Sequence, residues 1–236
     1  MANTLRAGSG SLESASVRIP ASLRPVVAVI PARGGSKRIP RKALALLAGR
    51  PLVVHAIAQA LRLKRRGILD RVVVSTEDRE IAAVSRRAGA EVIARPRPLA
   101  TDRASTLSVI RHLRLEGTVV LLQATSPLRA DADIEACLSA FARGRAPSVV
   151  TVADAHPKPE WMYRPRGRRL GKAVVRGTGS AVALNGAVYV ASARHLRTKG
   201  FVVPGTRFIL MPRERSVDID EPADLAMAEA LMRRRA

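Results

Sequence analysis

The chain has 236 residues with 47% hydrophobic side chains, enough for one domain, or one domain with a small lobe. A net charge of +22 attracts polyanions, but Arg outnumbers Lys 35 to 6 and aromatics are only 3%, so no base-stacking basic surface is indicated. The single cysteine, Cys137, excludes an internal disulfide or a multi-cysteine metal site, and no segment is long enough to span a membrane.

Residues 1–25 are rich in Ser, Ala, Gly and Arg and lack the apolar run of a secretory signal. They read as a flexible extension ahead of a domain over residues 26–236, in a cytoplasmic protein. Val26 to Ile30 reads as a buried strand, followed by Pro31-Ala32-Arg33-Gly34-Gly35-Ser36-Lys37-Arg38 and then Arg41-Lys42. Two glycines would let the backbone turn sharply and approach a ligand. Five cations within ten residues suit a polyphosphate, which backbone N–H groups can cradle. The spacing is neither that of a P-loop nor Gly-x-Gly-x-x-Gly. The competing reading is a solvated basic loop.

Pro51 to Leu63 is apolar at helical spacing. Strands are predicted at Arg71–Thr76, Glu91–Ile93, Thr118–Gln123 and Ser148–Val152. Helices are predicted at Asp78–Ala88, Ser105–Leu115 and Ala130–Ala142, the last carrying Cys137 as a core residue. This alternation predicts a mostly parallel sheet wrapped by helices, a Rossmann-like α/β fold with ligands at the strands' carboxyl ends. Residues 155–183 are rich in Pro, Gly and Arg and read as an excursion used for association. Strands return at Asn185–Val190 and Phe208–Met211, and a terminal helix runs from Pro222 to Arg233.

Asp218 and Asp220 project from one face if extended, which suits magnesium shared with phosphates. The alternative is that Asp220 caps the terminal helix. Gln123 at a strand end can present donor and acceptor to a base edge, or is a satisfied polar residue at a strand terminus. Arg95 reads as a base or phosphate ligand, or as a surface arginine. His55, His112, His156 and His195 show no paired metal spacing. Nothing indicates a nucleophilic triad.

Five ordered blocks resemble the acylneuraminate cytidylyltransferases, which include enzymes activating pseudaminic and legionaminic acids. They are Ile30–Lys37, Val73–Thr76, Arg95-Pro96 with Leu99–Asp102, Leu121–Arg129, and Asn185–Tyr189 with Ser216–Asp220. The resemblance implies a nucleotidyltransferase fold, usually dimeric, moving CMP from CTP to an acidic nonulosonic sugar. It implies catalytic roles for Arg33, Lys42, Asp218 and Asp220. Nucleotide binding would fall on Arg33, Gly34, Gly35, Lys37, Lys42, Arg95, Ala104, Thr106 and Gln123. Sugar binding would fall on Gln123, Asn185, Tyr189 and Arg176, and magnesium on Asp218 and Asp220. The chain departs from the family at Ala43, where asparagine is usual, and at Ala183, where arginine is usual. Alternatives are a nucleotidyltransferase with another acceptor, or a catalytically weak nucleotide- or polyanion-binding protein.

Overall fold

The computed structural model describes residues 18–157, 162–166, 169–173 and 181–234. The first strand, β1, spans Val26–Pro31, and five of its six residues are buried. A small hairpin follows, β2 (Leu46–Leu47) with β3 (Arg50–Pro51). Helix α1 spans Leu52–Arg65 and buries Leu52, Val53, Ala56, Ile57, Ala60 and Leu63 along one stripe. Its last turn carries Arg62, Lys64 and Arg65, cations that suit the negative end of the helix dipole. Strand β4 spans Arg71–Thr76 and helix α2 spans Arg79–Arg87. Asp78 caps α2 by accepting from the Glu80 and Ile81 amides, each at 2.9 Å. Strand β5 (Glu91–Ala94) leads to helix α3 (Thr106–His112), capped by Ser105.

The helix expected to reach Leu115 stops at His112 because Arg114 and Gly117 take positive φ values of 47° and 68°. That reversal feeds the chain into β6 (Thr118–Leu122), every residue of which is buried. A Cβ on Gly117 would lie 2.1 Å from the Pro25 carbonyl oxygen, so only glycine fits. Helix α4 spans Asp131–Ala142 and β7 spans Ser148–Asp154. In the expected excursion, β8 (Tyr163–Arg166) pairs antiparallel with β9 (Arg169–Ala173). Trp161 and Arg176 lie outside the described residues. Strand β10 (Val182–Ser192), the single-turn helix α5 (Ala193–Leu196), β11 (Arg207–Leu210) and α6 (Pro222–Arg233) complete the chain.

Seven strands form one sheet in the order β11-β7-β10-β6-β1-β4-β5. Strand β1 pairs parallel with both β4 and β6, and β4 with β5. Strand β10 runs antiparallel to both its neighbours, β6 and β7. The sheet is therefore mostly parallel, with one reversed strand. One core packs α1, α2 and α4 on one face, including Cys137, whose thiol burial pushes up to about 12. A second packs α3 and α5 on the other face. A third, with Ile39, Leu47, Leu52, Leu128 and Ile219, seats α6. No helix among the described residues is long and apolar enough to cross a membrane.

The topology fixes where a ligand can enter. From β1 the chain moves outward through β4 to β5, then crosses back to β6 on the other side of β1. Loops leaving β1 and β6 therefore diverge and leave a crevice at their carboxyl ends.

Candidate active site

A cavity of about 320 Å³ opens at that crevice. The loop after β1 contributes Arg33, Gly35, Ser36 and Lys42, and the segment after β5 contributes Arg95, Asp102, Ala104 and Thr106. Gln123, Ala124 and Thr125 come from the end of β6, and Asp218 and Asp220 from the approach to α6. Four segments far apart in sequence thus meet in one place. Lys37 lines an adjoining recess with Arg33, Lys42, Asp102 and Asp220. Neither Gly34, Asn185 nor Tyr189 lines the main cavity. Arg176 lies outside the described residues.

The loop glycines do not act through left-handed backbone, since neither has a positive φ; that conformation falls on Arg41, at φ 50°. Gly34 instead admits a close approach: a Cβ there would lie 2.6 Å from Asp78 Oδ2. The Gly34 amide donates to Glu77 Oε1 at 2.7 Å, so one N–H expected to face phosphate is held by a carboxylate. Gly35 has open space around its Cα.

Each of the five loop cations meets an acid. Arg33 and Lys37 reach Asp102 at 2.6 and 2.8 Å. Lys42 and Arg38 reach Asp220 at 2.7 and 3.2 Å. Arg41 binds Asp78 at 2.7 Å and also Glu80. Lys42 further donates to the Ile219 carbonyl at 2.9 Å, tying the loop to the segment of the aspartates. Arg95 is buried, not a surface arginine, and donates to the Ser75 carbonyl at 2.7 Å. Burial lowers its pKa against the opposing pull of Glu77.

Asp218 and Asp220 share the cavity but not their surroundings. Asp218 is open to solvent through the cavity, yet protein crowds its carboxyl and pushes its pKa up. A hydrogen bond from Thr125 opposes that shift, and the charge of Asp220 adds to it. The Lys42 ammonium, and then Arg38, hold Asp220 below the usual range. Asp220 does not cap α6; the cap position is Glu221, and Asp224 in the first turn accepts from the Asp220 and Glu221 amides at 2.9 and 2.8 Å. No cluster of three or more His, Cys, Asp or Glu suited to a metal occurs among the described residues. Two hard oxygen donors beside a phosphate-sized space still fit magnesium, which keeps waters and shares substrate oxygens.

Behind Gln123, Gly186 holds a φ of 74° and brings backbone against the site. A Cβ there would lie 3.5 Å from Asp218 Oδ2 and 3.6 Å from both Gln123 Oε1 and Ser126 Oγ. Asn185 faces inward instead. Its oxygen accepts from Thr151 Oγ1 at 2.7 Å, and its nitrogen donates to Ser216 Oγ at 3.0 Å. It fastens β10, β7 and the segment before Asp218 to one another. Tyr189 packs on Phe201 with centroids 5.5 Å apart, and burial raises its pKa. The four histidines form no metal cluster; His55 and His195 bond the Leu47 and Gly200 carbonyls.

Asp102 and Arg129 stand in the family-like blocks and Asp78 at a predicted helix start, but their places at the site, and that of Glu77, were not legible; the three acids hold the loop, and Arg129 is buried behind Gln123. Arg129 Nη1 donates to the carbonyls of Gln123 and Ser126 at 2.6 and 2.9 Å. Burial lowers its pKa to about 10. The acids meet a loop 37 or more positions away in the chain, which local spacing does not reveal.

Residues 27–195 match the family model described as cytidylyltransferase. The chain is 33% identical to a CMP-N,N'-diacetyllegionaminic acid synthase of Legionella pneumophila, across 88% of this chain and 96% of that one. It is 28% identical to an N-acylneuraminate cytidylyltransferase of Escherichia coli, across 89% of this chain and 52% of that one. Among solved structures, CMP:2-keto-3-deoxy-manno-octonic acid synthetase complexed with CTP superposes with a TM-score of 0.70 at 18% identity. That match covers 89% of this chain and 99% of the other.

Proposed function

Because the chain belongs to the cytidylyltransferase family, we propose that it transfers CMP from CTP to an acidic nonulosonic sugar and releases pyrophosphate. The observation that carries this is the convergence of loop cations, Arg95, Gln123 and the two aspartates in one cavity. A triphosphate needs the cations, and a base needs polar groups on the opposite wall. An acidic acceptor suits the positive field of a chain with net charge +22.

In this reading Arg33, Lys37 and Lys42 hold the phosphates, while Arg95, Ala104, Thr106 and Gln123 receive cytosine and ribose. The backbone at Gly35 completes the nucleotide side, while Gly34, its amide held by Glu77, shapes the turn of the loop. The acceptor lies toward Gln123, Gly186 and Tyr189, with Asn185 shaping that wall and Arg176 a candidate for its carboxylate. The acceptor hydroxyl attacks the α-phosphorus, and the bond to the bridging oxygen breaks. Pyrophosphate leaves with that electron pair. A carboxylate of the Asp218 and Asp220 pair takes the hydroxyl proton, directly or through an intervening water. Asp218 and Asp220 would hold magnesium, which when bound offsets charge on the phosphates. Alignment and charge neutralisation suffice for such a displacement. The protein works in the cytoplasm as a homodimer, with the excursion around β8 and β9 contributing to association.

The test is pyrophosphate release from CTP and magnesium across a panel of acidic nonulosonic sugars and Kdo. Release with one sugar, lost in Asp218→Ala with Asp220→Ala, supports the reading and identifies the acceptor. CTP binding without release for any sugar overturns it in favour of another acceptor.

A further inference from the structure

Asp102 stands where a phosphate is wanted. Its two carboxylate oxygens are taken separately, Oδ1 by Arg33 at 2.6 Å and Oδ2 by Lys37 at 2.8 Å. That is a two-oxygen fork across two cations, the pattern in which a phosphate would be held. Asp102 reaches it from the opposite wall, on the segment that follows β5, and lines both the cavity and its adjoining recess.

The other acids that meet the loop have further duties. Asp78 caps α2, Glu77 holds the Gly34 amide, and Asp220 pairs with Asp218 on one segment of the cavity. Asp102 has no such duty, since Ser105 caps α3. Its carboxylate is about half exposed and Lys37 is 84% exposed, so an incoming anion meets no steric barrier. Exposed ion pairs of this kind are weak and exchange readily with a competing anion.

We propose that Asp102 is a placeholder carboxylate, seated on Arg33 and Lys37 until the far end of a triphosphate displaces it, and returning to expel pyrophosphate. The inference rests on the proposed function and assigns to one residue the exchange of anions at that subsite. Asp102 lies two residues before Ala104 and four before Thr106 on the cavity wall. Its departure from the loop therefore couples triphosphate arrival to freedom of the nucleoside side. The seat discriminates by reach: only ligands whose phosphates extend to Arg33 and Lys37 compete with it.

Calorimetric titration of inorganic pyrophosphate, CTP and CMP into the full-length wild type, Asp102→Asn and Asp102→Ala tests this without turnover. Both variants are expected to bind pyrophosphate at least about threefold tighter, as removal of weak competing pairs implies. CTP should tighten as well, and CMP should not. Steady-state inhibition by pyrophosphate against CTP should strengthen by the same factor. Asp102→Glu, which restores a carboxylate, should return affinity toward wild type and keeps the test open if the shorter variants fold poorly. Unchanged or weaker pyrophosphate binding in a folded Asp102→Asn would overturn the proposal while leaving the CTP reading intact. A wild type that binds neither CTP nor pyrophosphate would overturn both.

Discussion

Asp218 and Asp220, two residues apart, carry opposite electrostatic instructions. Protein crowding and its neighbour's charge raise the pKa of Asp218, whereas Lys42 and Arg38 lower that of Asp220. A pair pushed apart this way divides labour, one carboxylate staying ionised while the other exchanges a proton. Asp218→Asn should lower kcat by about 100-fold or more, on the scale of losing one charge-handling group. The sign for stability is the reverse. A carboxyl whose folded pKa is raised contributes stability at low pH and loses it as pH climbs through that value. Asp218→Asn should thus raise the Tm of metal-free protein slightly at neutral pH, by thermal denaturation. The loop glycines separate in the same way. Gly34→Ala puts a methyl 2.6 Å from Asp78 Oδ2 and should raise KM for CTP about tenfold, whereas Gly35→Ala enters open space and should not. The aspartates, Lys42 and Gln123 were legible as residue types at telling spacings. Asp78 against Gly34 was not, because the two stand 44 positions apart and only the pairing of β1 with β4 brings them together.

At the scale of elements, the segment before Asp218 is held from beneath. Arg215 donates twice to Asp133 on α4, at 3.0 and 2.8 Å, and Asp133 also accepts from the Ala130 amide. Arg215→Ala leaves a carboxylate with 5% exposure lacking its partner and should cost roughly 3 kcal/mol in urea unfolding. Gly117→Ala meets backbone, not a movable side chain, and should cost at least ~2 kcal/mol by the same measurement. Most elements could be read from the chain because local chemistry marks them. Asp78 and Ser105 cap their helices, and Pro222 opens α6. The direction of β10 could not be read. Its apolar run fits either orientation, and only its antiparallel pairing beside β7 and β6 sets the direction. Nor could the length of α3, which ends because Arg114 turns left-handed, a conformation its side chain does not announce.

Across the whole molecule, the surplus of positive charge acts on every anion that approaches. KM for CTP should rise steeply between low and physiological salt, as screening shortens the reach of that field. The proposed homodimer has a face available to it. Leu210, Val152 and Leu184 lie in one row across β11, β7 and β10, and Phe208 and Val182 sit two residues from the row's ends on the same side. Val182, Leu184, Phe208 and Leu210 are all exposed. Phe208→Glu with Leu184→Glu should yield monomers in sedimentation velocity without unfolding the sheet. The reversed strand also sets a timetable. As the chain leaves the ribosome, β1, β4, β5 and β6 can assemble once Leu122 has emerged, but β6 has no partner on its outer side until residues 182–192 follow. For that interval a largely apolar strand presents a bare edge, the kind that recruits a neighbour's strand. Synthesis that stalls within the excursion would leave the nascent protein in its most adhesive form, so the speed of translation between residues 123 and 182 bears directly on how much of it survives.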